Sequence, residues 1–277
     1  MTLLLTEIHW KDNLLNSFIV FAADRRISRP NGKRLGERKK IFEVHYLRAG
    51  IGYFGLADVP KKGSAEPEPM SDWLLRFIRK NSSLTNMELF ANNLANNLNS
   101  EIPTQWKHKH ISGFHLAGYN SDGIPEFWFI RNVEDDRITI TGSYQAREDF
   151  LTAHAPALGY DGQNPDSVKP YYGQIYRNGD IRAHFAAWEN IDKSFIDLLN
   201  EPQFKKLRTV SDYESWVKFK MEIIAYFYKK YCKVSLIARP IDSFSVPTKN
   251  MKTIAATKAS SLTTNTMPTS ASSIQKK

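Results

Sequence analysis

The chain has 277 residues, 42% of them hydrophobic and 12% aromatic, too apolar for a disordered protein and long enough for one large domain or two small ones. Its single cysteine, Cys232, excludes a disulfide framework and a cysteine-built zinc site and fits a reducing compartment. The formal charge is +9, from 38 basic and 29 acidic side chains, which raises the question of nucleic acid.

Thr2 to Trp10 alternates in part, residues 17–23 are almost wholly apolar, and the turn chemistry of residues 11–16 between them predicts a hairpin. A strand apolar on both faces is normally sandwiched between two layers. The turn Arg29-Pro30-Asn31-Gly32 leads to strands at 40–45 and 48–54. Two helices follow. Residues 70–80 carry Trp73, Leu74, Phe77 and Ile78 on one stripe, and the second helix opens with a capping box from Thr85 to Glu88 ahead of Leu89, Phe90, Leu94 and Leu98. Strands return at 111–119, 126–131 and 137–142. A helix near 192–199, a long helix from Ser211 with its own capping box to Glu214, and a strand at 240–246 complete a domain over 1–246. Segregated runs of strands and helices predict an α+β fold rather than a parallel βαβ sheet. Residues 247–277 are rich in Ser, Thr, Ala and Lys, hold no acid and no aromatic, and are expected to form a disordered tail. No long apolar run spans a membrane, and the opening residues lack the basic lead of a secretory signal, so a cytoplasmic protein is expected.

Three features bear on chemistry. Thr2 follows Met1 directly, and methionine removal would make it the N-terminus. Its own amine, titrating near pH ~8, could then take the proton from its hydroxyl, uniting nucleophile and base in one residue. Asp24, in Ala22-Ala23-Asp24-Arg25-Arg26, stands sixteen residues before Lys40. A carboxylate can hold a lysine ammonium, and the ammonium favours deprotonation of a neighbouring hydroxyl. In Gly50-Ile51-Gly52-Tyr53-Phe54-Gly55, glycine at a strand end lets a substrate come close and a backbone N–H meet an oxyanion; the spacing is not that of a dinucleotide fingerprint. Read singly, these are a common start, a surface ion pair and a β-bulge.

Together they resemble the proteasome β-subunit family of N-terminal-nucleophile (Ntn) hydrolases over residues 2–131. The likeness is best in Phe21-Ala22-Ala23-Asp24-Arg25-Arg26-Ile27-Ser28, Lys40-Ile41-Phe42, Gly55-Leu56-Ala57-Asp58 and Gly118-Tyr119-Asn120. The resemblance implies a four-layer αββα sandwich and a threonine-type hydrolase of peptide or other amide bonds, with no cofactor and no metal. Thr2 would be the nucleophile, Lys40 would lower its hydroxyl pKa, Asp24 would hold Lys40, the Gly55 N–H would bind the oxyanion, and Arg26 would support the loop after Asp24. Ser143, in Gly142-Ser143, would assist the N-terminal amine. A homo-oligomeric ring and an unfoldase partner belong to the same implication, and these residues specify neither.

The chain also departs from that pattern. With Thr2 as nucleophile the first hairpin is about six residues longer than the family's, an even excess that splits between the arms with Thr2 and Asp24 still sharing a face. Thr6 is a rival at nearly the usual separation, but it requires cleavage after Leu5. The family's later acidic and serine residues have no counterpart in 145–200. Lys107-His108-Lys109-His110 reads as a solvated loop rather than a metal or phosphate site, and Cys232 as structural.

Three functions are thus in view: a threonine-type hydrolase, a proteasome-like subunit without turnover that acts by assembly or partner binding, and a nucleic-acid binder. Residues 25–40 carry a net +7 and residues 247–277 a net +5, so the remainder of the chain is net acidic. Such a distribution makes nucleic acid the weakest of the three.

Overall fold

A computed structural model describes residues 3–28, 33–60, 66–134, 139–168, 173–179, 188–204 and 206–248. The fold is α+β with antiparallel sheets. The expected first hairpin forms from β1 (Leu3–Trp10) and β2 (Ser17–Asp24). β3 (Arg26–Ser28) and β4 (Arg34–Glu37) make a small ribbon, and β5 (Ile41–Val44) pairs with β6 (Ala49–Phe54). A two-residue ladder, β7 (Asp58–Val59) with β8 (Glu68–Pro69), leads into the helices α1 (Met70–Lys80) and α2 (Met87–Glu101). After them come β9 (Gly113–Tyr119), β10 (Pro125–Val133) and β11 (Ile140–Glu148), then β12 (Gln174–Gly179), α3 (Trp188–Asn200), α4 (Val210–Tyr231) and β13 (Ile241–Pro247).

The strands assemble into a four-stranded sheet ordered β12-β1-β2-β13 and a five-stranded sheet ordered β11-β10-β9-β6-β5. All eight residues of β2 are buried, as expected of a strand covered on both faces. One face of the β1–β2 hairpin, with Leu3, Leu5, Val20 and Ala22, packs on Val217, Met221, Ile224 and Tyr228 of α4. The opposite face, with Leu4, Ile8, Ile19 and Phe21, meets Ile41, Phe54, Ala117 and Phe127 of the second sheet. The far face of that second sheet, with Phe42, Ile51, Phe114 and Leu116, packs on Trp73, Leu74 and Phe77 of α1 and Phe90 and Leu94 of α2. Gly52 belongs to the contact between the sheets: a Cβ there would lie 2.5 Å from Leu4 Cδ1, so glycine allows β6 to approach β1.

Both expected capping boxes shift. α2 is capped by Asn86, whose Oδ1 accepts the Leu89 N–H at 2.8 Å, in place of Thr85. α4 begins one residue early, with a capping box between Thr209 and Asp212 in place of Ser211 and Glu214. The Glu214 carboxylate instead accepts the hydroxyls of Ser243 and Ser245 on β13, each at 3.0 Å. β12 was not anticipated. The turn at 29–32 and, beyond Thr248, the expected tail lie outside the described residues. No helix among the described residues is long and apolar enough to cross a membrane.

Candidate active site

Asp24 ends β2 and Lys40 stands immediately before β5, so the two sheets bring their chain ends together at this point. Both side chains are fully buried. Lys40 Nζ donates to Asp24 Oδ1 at 3.1 Å and to the Arg26 carbonyl at 2.7 Å, leaving a third N–H on the ammonium. Asp24 Oδ1 also accepts the Leu3 N–H at 2.9 Å, while Oδ2 is buried with no hydrogen-bond partner among the described residues. Burial pushes the Asp24 carboxyl up and the Lys40 ammonium down, each opposed by the charge of the other. An ammonium whose charge is costly to keep, with an N–H to spare at the entry of the first strand, can polarise a hydroxyl placed there. Arg26 belongs to this arrangement through its backbone carbonyl.

Gly55 follows β6 at the same end of the second sheet. The Tyr53 N–H donates to the Lys40 carbonyl at 3.1 Å, which sets Gly55 two residues beyond the partner of Lys40. Gly55 is exposed, its φ is +85°, and a Cβ would come within 2.1 Å of the Ile111 carbonyl oxygen. Glycine is therefore required here on backbone grounds, whatever its N–H does.

Thr2 lies outside the described residues. The strand that follows it is described, and its register departs from expectation. Leu4 pairs with Ala23 and Trp10 with Ser17, so the next step sets Leu3 across from Asp24. Residues directly opposite share a face, and Asp24 accordingly shares one with the odd-numbered residues of β1. The loop is the cause. Six residues, 11–16, close the hairpin between Trp10 and Ser17, whereas a common face for Thr2 and Asp24 needs an odd-length loop.

Thr6 is fully buried in the middle of β1, paired with Phe21 on one side and Tyr176 on the other. Its hydroxyl is 2.9 Å from His115 Nδ1 on β9, and His115 Nε2 is 2.6 Å from Asn178 Oδ1 on β12. With Oδ1 accepting, Nε2 carries the proton, and a neutral ring leaves Nδ1 to accept the Thr6 O–H. Hydroxyl, imidazole and amide stand in the order of nucleophile, base and orienting group. However, the Phe54, Phe127 and Phe129 rings enclose His115, and neither Thr6 nor His115 is exposed, so the three residues tie one sheet to the other. Cleavage before Thr6 would also remove Leu3, Leu4 and Leu5 from the core.

Ser143 is not brought to the pair. It lies on β11, at the opposite edge of the five-stranded sheet from β5, and its backbone bonds the Thr141 hydroxyl. Lys107, of the Lys-His-Lys-His run, is buried with Nζ donating to the Asn99 carbonyl at 2.8 Å. Among the described residues no group of three His, Cys, Asp or Glu side chains could hold a metal ion.

A second buried charge cluster was missed in the sequence. Lys220 Nζ of α4 lies 2.9 Å from Glu7 Oε1 on β1 and 2.8 Å from Asp192 Oδ1 on α3. Arg177 reaches Asp192 Oδ2 at 2.9 Å, and His9 reaches Glu7 Oε2 at 2.8 Å. The one available signal was an acid, Glu7, inside an apolar strand. Neither a protein-family profile nor any curated protein sequence matches this chain.

Proposed function

We propose that this chain is a proteasome-like threonine-type Ntn hydrolase of peptide or other amide bonds, acting in a reducing, cytoplasmic compartment on an N-terminal Thr2 freed by removal of Met1. The observation that carries the reading is the buried Lys40–Asp24 pair beside the Leu3 amide, in which, among the described residues, one ammonium N–H and Asp24 Oδ2 have no partner. Two facing sheets with α1 and α2 on one outer face and α4 on the other support the four-layer αββα arrangement that such hydrolases use. Thr2 Oγ would attack the carbonyl while its amine takes the proton, with Lys40 lowering the hydroxyl pKa and Gly55 N–H facing the oxyanion. The C–N bond would then break, the substrate's amine leaving with that proton, and water would hydrolyse the Thr2 ester to release the acid. Intact-mass analysis of the N-terminus, paired with a hydroxyl-reactive electrophilic probe, tests this. Loss of Met1 and a single label on Thr2 are expected, and Thr2→Ala should abolish the label. A retained Met1 without labelling overturns it.

One observation favours a second reading, a proteasome-like subunit without turnover. Asp24 is aligned with Leu3 and bonds its N–H, spending carboxylate capacity on the backbone. An unprocessed, unlabelled chain that assembles with partners is the expected result in that case.

A further inference from the structure

The core side of α4 carries Val217, Met221, Ile224, Ala225 and Tyr228, all buried against the first sheet. Its opposite side is apolar as well. Phe219 is 45% exposed, Tyr226 56% and Phe227 55%, with Trp216 and Ile223 half-buried beside them. Scattered single apolar residues on a surface need no explanation, but a continuous aromatic row on one helix marks an interaction site.

The order of residues along that row says what it fits. Asp212, Trp216, Phe219, Ile223, Tyr226 and Lys230 follow one another at steps of four, three, four, three and four residues, the spacing of a helix-pairing seam. The steps read the same in both directions. An acid stands in the first turn and a base in the last. Laid antiparallel on itself, the row sets Asp212 against Lys230, Trp216 against Tyr226 and Phe219 against Ile223, and it opposes the two helix dipoles. The Phe195 ring of α3 braces one flank, 5.6 Å from Trp216 and 5.8 Å from Phe219.

We propose that this face of α4 is a self-complementary docking surface whose occupant is α4 of a second copy of the chain, related by a two-fold axis passing between Phe219 and Ile223. Residues 249–277 fit it less well, because they offer five lysines, no acid to meet Lys230 and no aromatic ring. The proposal uses no residue of the Lys40–Asp24 site and stands apart from the hydrolase reading.

Sedimentation velocity of the full chain over a wide concentration range tests it. An even-numbered assembly is expected, and Phe219→Glu/Tyr226→Glu, at two exposed positions, should halve its mass while leaving the circular dichroism spectrum unchanged. The dissociation constant should rise at least about thirtyfold, as for loss of an aromatic hot spot. Phe219→Cys/Ile223→Cys should give a covalent dimer on oxidation. A wild-type chain that stays monomeric, a glutamate variant of unchanged mass, or a chain truncated after Thr248 that dimerises where the full chain does not would each overturn the proposal, the last by assigning the surface to the C-terminal segment.

Discussion

Lys40 and Asp24 are each hard to bury alone, and the structure makes each the condition for the other. Removing the ammonium leaves a carboxylate in the core, so Lys40→Met should cost about 3–5 kcal/mol, whereas the neutral pair Asp24→Asn/Lys40→Met should recover most of that loss. Urea unfolding measures the recovery. If Lys40 acts on the Thr2 hydroxyl, the double variant is stable and takes no electrophilic label; wild-type labelling in it would remove Lys40 from the mechanism. The pairing of Asp24 with Lys40 was anticipated only through the likeness to the proteasome β-subunit family; taken alone the two residues read as a surface ion pair, and the structure buries both. The third member, the Arg26 carbonyl, was not anticipated, since a backbone acceptor leaves no mark on residue identity. Gly55 was legible as a special position, yet its neighbour, the Ile111 carbonyl, is distant in sequence.

Among the elements, the hydrophobic periods located most of the main strands and helices to within a few residues, because burial against a facing layer imposes those periods. The strand expected at 137–142 instead runs on to Glu148. Helix starts were less readable. Thr209-x-x-Asp212 and Ser211-x-x-Glu214 fit one pattern, and the choice falls to Thr209 because β13 takes the Glu214 carboxylate. Thr209→Ala should therefore cost about 1 kcal/mol by thermal or urea unfolding, and Ser211→Ala close to nothing. Equal losses at the two positions would contradict this cap assignment. β12 escaped notice because its short run, Gln-Ile-Tyr-Arg-Asn-Gly, is an edge strand with weak alternation.

Across the molecule, further buried polar groups hold the apolar layers in place. The Thr6–His115–Asn178 bridge crosses between the sheets, and Thr6→Val, close in shape, should cost about 1–3 kcal/mol by removing the hydroxyl from buried His115. Glu7 and Lys220 join β1 to α4. Burial pushes the Glu7 carboxyl up, but the Lys220 charge and the His9 contact outweigh it and hold Glu7 well below the usual carboxylate range. A carboxyl lowered in the folded state stabilises it above the unfolded value near ~4.3 and loses that contribution as pH falls toward the native value. The unfolding free energy should thus decline on acidification below about pH 4.3, and less steeply in Glu7→Gln. Parallel acid limbs in the two proteins would show that Glu7 is not the linked group.

By itself the sequence determined the α+β class, the doubly buried second strand and the main elements, all of which depend on local period, while the Asp24–Lys40 partnership came only through the family likeness. Only the tertiary structure decided the register that aligns Asp24 with Leu3, the remoteness of Ser143, the Glu7–Lys220–Asp192 cluster and the outward aromatic row of α4. The physical reason is common to all four. Strand order, loop parity and the choice of which apolar stripe meets the sheet depend on how layers pack, and two faces of one helix can both be apolar while only one of them is buried against the sheet.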